Sequence, residues 1–251
     1  MKMNLSDITF LISIRVDSIV RLENLIATTK FLLKNFVCRV IVLESASYNN
    51  GVIKKLLSSK IEYYFIEDHD TVFYHTKYTN IMAEKVTTTL LCIWDVDVIV
   101  PVTQIVEAVE KLRSRKYEAA FPYDGRALDT SADIRELFVR SCNINILKRQ
   151  QLKMCPLHQN LKLCGGAVFV STDAYRRAGM DNLSFYGWGS EDFERFDRWR
   201  ILGYAIYIVP GVLYHLTHPR EKNSRFENEK QLIQSAETIF KTRVSSAEEL
   251  A

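Results

Sequence analysis

The chain has 251 residues, of which 47% are apolar and 25% are charged, and its formal net charge is +3 at pH 7. This is the composition of one globular domain, and the small net charge without a Lys/Arg block argues against a nucleic-acid partner. No stretch reaches the roughly 18 apolar residues of a membrane span. The five cysteines form no C-x-x-C pair and the first apolar run reads as a strand and not as a signal peptide, so we expect a cytoplasmic protein with reduced thiols.

Apolar runs and helical patterns alternate along the first hundred residues. Strands are predicted at 8–14, 39–43, 61–66 and 90–94, and helices at 18–35, just after Gly51 and at 71–88. This order predicts βαβ units, and therefore an α/β fold with a mostly parallel central sheet flanked by helices. Beyond residue 101 the pattern predicts helices at 105–113, 132–142 and 190–202, with short strands at 119–122, 163–171, 205–209 and 212–215. Residues 124–156 read as a polar, largely irregular excursion that could serve as a lid.

Two carboxylates follow the fourth predicted strand, in the stretch Trp94-Asp95-Val96-Asp97. Strand alternation places Asp95 and Asp97 on the same side of the chain, where they repel each other unless a cation joins them. A divalent cation does so and can also bind phosphate oxygens. Because ligands bind beyond the carboxyl ends of strands in open α/β sheets, the pattern indicates a metal-diphosphate site, with a solvated strand end as the alternative.

A second stretch, Gly187-Trp188-Gly189-Ser190-Glu191-Asp192, combines a flexible loop with two acids. Ser190 fits a helix N-cap, and acids in a first helical turn are favourable there without any further role. In a closed pocket, one of them could instead accept a proton from an attacking hydroxyl group. The adjacent glycines Gly165 and Gly166 interrupt a predicted strand and allow close approach of a ligand to the backbone.

Two histidines, His215 and His218, follow the last predicted strand three residues apart. They could bind one ion if the chain turns there, and imidazole ligands suit Mn, Fe or Zn better than Mg. Only the fold can bring them close to Asp97.

These motifs, together with Arg220-Glu221-Lys222-Asn223, occur in an order that resembles the β-1,4-galactosyltransferase family and the galactosyltransferase-type domains of bacterial sugar transferases. The resemblance covers about residues 8–223 and implies the GT-A fold, a nucleotide-sugar-binding α/β architecture. It implies inverting transfer from a UDP-sugar to an oligosaccharide or glycolipid acceptor, usually with Mn²⁺ and with Mg²⁺ as the alternative. It further implies one domain, with 1–101 as the nucleotide-binding half, 102–223 as the acceptor and catalytic half, and 224–251 as a charged helical tail.

The resemblance also assigns roles to individual residues. Asp97 and His218 correspond to metal ligands, and His215 stands where the animal enzymes have a methionine ligand. Asp192 corresponds to the general base, Glu191 to the acid that holds a sugar, and Trp188 to the tryptophan of a mobile loop. Ser190 replaces a glycine of the family.

Donor-binding residues follow from the same resemblance: Asp95, Gly166, Arg15, Glu44, Lys77 and Asn80. Asp95 faces the donor ribose or sugar, Arg15 is kept from an Arg-x-Arg pattern in which Asp17 differs, and Glu44 falls near the uracil. Lys77 and Asn80 lie on the helix that borders the nucleotide, and a solvated helix face is their alternative.

Two other readings stay open. One is a retaining transferase of the polypeptide N-acetylgalactosaminyltransferase type, and the other is a catalytically silent domain that binds nucleotides or glycans. Peripheral association with a membrane is also compatible with the sequence.

Overall fold

The computed structural model describes residues 2–159, 161–220, 223 and 225–250. The strands are β1 (Met3–Ile14), β2 (Phe36–Ala46), β3 (Glu62–Glu67), β4 (Leu90–Trp94), β5 (Val98–Ile99), β6 (Ala119–Phe121), β7 (Arg126–Asp129), β8 (Cys155–Pro156), β9 (Ala167–Ser171), β10 (Ile206–Ile208) and β11 (Val212–His215). The helices are α1 (Ile19–Asn35), α2 (Val52–Leu56), α3 (His75–Glu84), α4 (Val102–Arg113), α5 (Ala132–Ser141), α6 (Ile144–Gln150), α7 (Thr172–Arg177), α8 (Glu191–Ile201), α9 (Glu229–Val244) and α10 (Ala247–Leu250).

The central sheet has the strand order β10-β6-β9-β4-β1-β2-β3 among the described residues. Strand β9 is antiparallel to both of its neighbours, and the other pairs are parallel, which confirms the predicted mainly parallel sheet. Both faces of the sheet are covered, so its strands are apolar on both sides. Phe10 and Ile12 of β1 pack into the cluster on one face, and Leu11 packs into the cluster on the other face.

A smaller sheet with the order β5-β11-β7-β8 adjoins the end of β4. In this sheet His215 pairs with Val98 of β5 on one side and with Asp129 of β7 on the other. The backbone N–H of Leu216 also donates to the carbonyl oxygen of Asp97 at 2.7 Å. The smaller sheet therefore fixes the segment after β11 against the segment after β4.

Residues 124–156 are more regular than expected, since they contain β7, α5, α6 and β8. Phe138 of α5 is fully buried and its ring lies 6.2 Å from that of Phe31 on α1. Arg135 donates to Asn24 at 2.7 Å and to Glu23 at 2.7 Å, again on α1. These contacts attach the segment to the body of the domain, where the sequence suggested a lid.

No helix among the described residues is long and apolar enough to cross a bilayer.

Candidate active site

The chain turns immediately after β4, and this turn sets the positions of the two carboxylates. Strand β4 ends at Trp94, residues 96 and 97 form a turn, and Val98 begins β5. Asp95 is held by a hydrogen bond from its backbone N–H to the carbonyl oxygen of Gly166 at 2.9 Å. The expectation that strand alternation aligns Asp95 with Asp97 is therefore wrong in its geometry, because a turn and not a continuing strand carries Asp97. Both carboxylates nevertheless reach the same cavity.

Asp97, His215 and His218 converge at one edge of this cavity. The Nε2 atom of His218 lies 3.1 Å from one carboxylate oxygen of Asp97, and the Nε2 atom of His215 lies 3.7 Å from the other. One ligand atom from each residue falls within 4.8 Å of the others. Ligands that share one ion at about 2.1 Å are themselves roughly 3–4 Å apart, so a small contraction brings the three into one coordination sphere.

The far nitrogen of each imidazole is already hydrogen-bonded. Nδ1 of His215 lies 2.7 Å from a carboxylate oxygen of Asp129, and Nδ1 of His218 lies 2.8 Å from the carbonyl oxygen of Pro219. With Nδ1 held by these acceptors, loss of the Nε2 proton would leave each Nε2 lone pair free to bind a metal ion beside Asp97. This is the arrangement in which metal-binding histidines are usually held.

The pKa values of Asp95 and Asp97 are shifted in opposite directions. Burial alone would raise the pKa of Asp97, but the charge of His215 and the hydrogen bond from His218 outweigh it and hold the pKa well below its usual value. Asp95 also lines the cavity, but the positive charges near it do not outweigh its burial. Desolvation, followed by repulsion from Asp97 and Asp192, raises its pKa to about 7.

A cavity of about 250 Å³ opens beside this cluster. The sequence-predicted site residues that line it are Asp95, Asp97, Gly166, Trp188, Glu191, Asp192, His215 and His218. The fold thus brings together side chains that are separated by more than 120 positions in the sequence.

Asp192 is held on the cavity wall in a single orientation. Its Oδ1 atom accepts a hydrogen bond from Arg195 at 2.7 Å, and Arg195 is anchored in turn by two hydrogen bonds to buried Asp181. The Oδ2 atom of Asp192 lies against Gly165, where an added Cβ would be only 2.0 Å away. A larger residue at position 165 would therefore displace this carboxylate oxygen.

Glu191, by contrast, is turned toward the backbone of the tryptophan loop. Its Oε2 atom accepts the N–H of Gly189 at 3.0 Å. Burial, and to a lesser extent repulsion from Asp192, raise the pKa of Glu191 to about 7. Ser190 occupies the N-cap position of α8 as predicted, but its side chain makes no capping hydrogen bond. Its φ of +73° is in the left-handed region, which a glycine adopts without strain.

The C-terminal segment packs onto this loop. The Phe226 ring lies edge-on to Trp188, with 5.4 Å between ring centroids, and it also lines the cavity. Buried Ser235 of α9 donates from Oγ to the carbonyl oxygen of Gly189 at 3.1 Å. The predicted charged tail is helical, but it forms part of the wall around Trp188.

Residues 151–222 match the sequence model of a known family, the N-terminal domain of galactosyltransferase. No match was found among curated protein sequences. Among solved structures, the chain is similar to the catalytic domain of Drosophila β1,4-galactosyltransferase 7 in complex with xylobiose. The TM-score is 0.58 at 13% identity, over 93% of this chain and 79% of that one.

The chain has the GT-A fold with a galactosyltransferase-like segment. It is also similar to glucosyl-3-phosphoglycerate synthase from Mycobacterium tuberculosis, solved with Mn²⁺, UDP and phosphoglyceric acid, at a TM-score of 0.55 and 15% identity over 94% of this chain and 78% of that one. GalNAc-T7 with UDP, GalNAc and Mn²⁺ gives a TM-score of 0.61 at 11% identity, over 92% of this chain and 47% of that one. The resemblance and the fold expected from the sequence are confirmed, and the matched segment together with the GT-A fold supports glycosyltransferase activity.

Four of the predicted donor-binding residues of this GT-A domain lie outside the residues that line the cavity. Arg15 donates to the carbonyl oxygen of Ser45 near the end of β2 at 3.3 Å and to that of Asp70 beyond β3 at 2.7 Å. Lys77 lies 3.5 Å from Asp68 in the same region. These two cations occupy the strand ends where a nucleotide is expected, without contacting the acid cluster.

Glu44 and Asn80 have internal partners. Glu44 is buried and accepts a hydrogen bond from the hydroxyl of Tyr63 at 2.5 Å. Asn80 is likewise buried, where it donates to the carbonyl oxygen of Asp181 at 2.8 Å and accepts from the hydroxyl of Tyr175 at 3.1 Å. The structure gives Asn80 a part in holding Asp181, in place of the predicted helix face beside the nucleotide. Glu221 and Lys222, which belong to the family motif, lie outside the described residues.

Sequence reasoning missed three residues of the GT-A site. His75, at the start of α3, has its two ring nitrogens 3.9 Å from Asp95 and 3.9 Å from Glu191. Asp129 orients His215, as described above. Arg21, in the first turns of α1, lines the cavity. None of the three belongs to a recognisable motif. Arg21 and His75 each follow a predicted strand, whereas Asp129 lies in the segment 124–156 that was predicted to be largely irregular.

Proposed function

We propose that this domain is a metal-dependent, inverting glycosyltransferase that moves a hexose or N-acetylhexosamine from a UDP-sugar to a hydroxyl group of a glycan. The observation that carries the proposal is that the Asp97–His215–His218 set and the acids Glu191 and Asp192 line one cavity. A domain that only bound a nucleotide or a glycan would not need an oriented carboxylate base beside a metal-ligand set.

The residues present fit a divalent transition metal. Two Nε2 atoms and one carboxylate form a mixed set that suits Mn²⁺, and Mg²⁺ is the weaker candidate because it prefers oxygen ligands. Similar structures were solved with Mn²⁺ together with UDP or a nucleotide sugar. When bound, the ion supplies positive charge that neutralises the diphosphate leaving group.

Side chains of the domain support the same leaving group. Arg21 and Arg220 both line the cavity, and their positive charges favour a diphosphate there. Asp95 and Gly166 line the same cavity, and the backbone N–H of Asp95 donates to the carbonyl oxygen of Gly166 at 2.9 Å. The φ of 79° at Gly166 is one that glycine adopts without strain. We place the donor sugar between Asp95 and Trp188, and the uridine toward Arg15, Glu44 and Lys77 at the ends of β1 to β3.

The acceptor hydroxyl group is deprotonated by Asp192. Its oxygen forms a bond to the anomeric carbon, the bond between that carbon and the phosphate oxygen breaks, and the electron pair leaves with UDP. The proton goes to the Oδ2 atom of Asp192, because Oδ1 is already bonded to Arg195. Attack from the face opposite to the leaving group inverts the anomeric configuration. Glu191 stays close to the loop backbone and holds a sugar hydroxyl group.

We infer the class of acceptor from the apolar part of the cavity. Leu157, Leu161 and Leu163 line it together with Phe226. Apolar and aromatic surfaces pack against the carbon-bearing faces of sugars, which favours an oligosaccharide or glycolipid acceptor over a small polar one.

The test is a transfer assay with a panel of UDP- and GDP-sugars and Mn²⁺ or Mg²⁺, in which the anomeric configuration of the product is read by NMR. We expect a β-linked product from an α-linked UDP-sugar donor. An α-linked product favours the retaining alternative, and an absence of both transfer and donor hydrolysis across the panel favours a silent binding domain. Thermal-shift measurements with each nucleotide sugar identify the donor independently, because a ligand that binds the native state raises apparent stability.

A further inference from the structure

A groove with a basic rim and an apolar floor lies at the other end of the central sheet. It is formed by the second half of α1, by the end of α2 and by the residues just before β1 and β3, and its volume is about 460 Å³. Lys2, Lys30, Lys34 and Lys60 line it together with apolar residues that include Leu33 and Leu56. We call it the basic groove.

The basic groove is far from the candidate active site. Strands β1 and β4 are parallel; Lys2 precedes the start of β1, whereas Asp95 follows the end of β4. At about 3.3 Å per strand residue, the two sites are separated by on the order of 35 Å along the sheet. A partner bound at the basic groove therefore leaves the cavity open.

The charged side chains among the described residues that line the groove are all positive. None of the described residues that line it is acidic. Two further lysines, Lys54 and Lys55, are exposed on α2, which forms one of its walls. Lys34 donates to the carbonyl oxygen of Cys142 at 2.9 Å, which leaves most of its charge uncompensated because a carbonyl group is neutral.

Apolar side chains are exposed at the same end of the sheet. The exposed fractions are 43% for Met3, 52% for Val37 and 50% for Leu56. The backbones of Met3 and Val37 lie on the adjacent starts of β1 and β2. Exposed apolar residues beside long, flexible lysines are typical of surfaces that contact lipid headgroups and the boundary of the acyl region, and Leu56 lies beside the lysines of the groove.

We propose that the basic groove docks on the surface of an anionic lipid bilayer. Its rim cations are lysines, which attract headgroup phosphates as point charges, whereas a phosphopeptide or nucleic-acid site would favour the bidentate geometry of arginine. The exposed Leu56 and Val37 then contact the interfacial region of the bilayer. The proposal does not depend on the reaction proposed above, because it uses none of the residues of the cavity.

The test is co-sedimentation of the full chain with vesicles of phosphatidylcholine alone or mixed with phosphatidylglycerol. We expect the chain to bind the mixed vesicles and to bind vesicles of phosphatidylcholine alone only weakly. Binding to the mixed vesicles should fall at about 0.5 M NaCl, where the Debye length is roughly 4 Å. The double variant Lys30→Glu/Lys60→Glu reverses two rim charges and should lower the affinity for mixed vesicles by roughly 30-fold or more. The double variant Lys116→Glu/Lys241→Glu carries the same net charge outside the groove and should change the affinity only slightly.

Three outcomes overturn the proposal. Equal losses in the two double variants indicate attraction through net charge alone, and equal binding to both kinds of vesicle excludes recognition of anionic lipid. Absence of binding to the mixed vesicles also overturns the proposal and favours a different partner for the groove, such as an acidic protein surface. Circular dichroism and thermal unfolding of each variant verify that a loss of binding does not come from unfolding.

Discussion

Replacement of Asp192 by asparagine removes the proposed base while keeping its shape. Asparagine is isosteric with aspartate, so the side-chain oxygen can still accept the hydrogen bond from Arg195, and the amide group faces Gly165 in place of Oδ2. The amide group cannot accept a proton at neutral pH. The variant therefore separates basicity from packing.

The expected loss of turnover is large, and the expected loss of stability is small. General base catalysis typically contributes about 10²–10⁴-fold, and we expect kcat for Asp192→Asn to fall within that range. Arg195 keeps its two hydrogen bonds to Asp181, and only the charge-assisted part of the third is lost. That part is about 1 kcal/mol, which lowers the melting temperature by roughly 2–4 °C in a chain of this size.

The assay combines initial rates of sugar transfer at saturating donor and acceptor with calorimetry of UDP binding in the presence of Mn²⁺. We expect kcat to fall while the affinity for UDP stays near that of the wild type, since Asp192 contacts neither the metal set nor the uridine region. Glu191→Gln is the matched control, because it removes the neighbouring carboxylate. We expect it to weaken binding of a sugar more than it lowers kcat.

A second variant displaces the same carboxylate without removing its charge. Gly165→Ala places a Cβ 2.0 Å from Oδ2 of Asp192, so the carboxylate has to move while its charge stays. We expect kcat to fall and UDP affinity to persist, as in Asp192→Asn. Near-normal transfer in Asp192→Asn together with an inactive Glu191→Gln of normal binding would refute the assignment, and Glu191 would then be the base.

Four further outcomes are expected. Asp97→Ala should abolish Mn²⁺-dependent UDP binding with an unchanged circular dichroism spectrum, and retained affinity in calorimetry contradicts the metal set. Asp129→Asn should weaken Mn²⁺ binding by about 10–100-fold, because it loosens the orientation of His215; a metal titration that matches the wild type excludes this role. Trp188→Ala should lower turnover by on the order of 10–100-fold through misplacement of the donor, with a smaller effect on UDP affinity, as measured by rates and calorimetry. Burial raises the pKa of Glu191 to about 7, so ionisation of this group opposes folding as pH rises. In metal-free buffer, the thermal stability of Glu191→Gln relative to the wild type should therefore increase between pH of about 5 and about 8. Parallel profiles of melting temperature against pH argue against this.

The fold was largely predictable because its signals are local and strong. The predicted strand at 90–94 coincides with β4, and the helix predicted at 18–35 corresponds to α1 with Ser18 as its N-cap. Where the prediction failed, tertiary packing determined the outcome. The helix predicted at 71–88 is only α3, and the segment 124–156 gained secondary structure by packing on α1.

That Asp97, His215 and His218 lie close together was predictable only through the resemblance. No local pattern indicates that His215 pairs with Val98, one residue after Asp97, because this pairing depends on a second sheet built from β-strands of two to four residues. Asp95 and Asp97 both line the cavity, but a turn after β4 and not strand alternation places Asp97 there. Asp129 became visible only once β7 was placed beside β11.

The loop that carries Trp188 illustrates how strongly the site depends on distant sequence. Flanking glycines predicted a free loop, and the left-handed φ values of Gly187 and Gly189, 95° and 111°, agree with the need for glycine. An added Cβ at Gly189 would lie 2.7 Å from the Phe226 ring, so this glycine also makes room for the C-terminal segment. The loop is consequently held from two sides, by Glu191 through the N–H of Gly189 and by Ser235 through its carbonyl oxygen. Closure of the loop over a donor would have to break these two hydrogen bonds or move their partners with the loop. The free energy needed to move Trp188 is therefore set partly by α9 and not by the loop glycines alone.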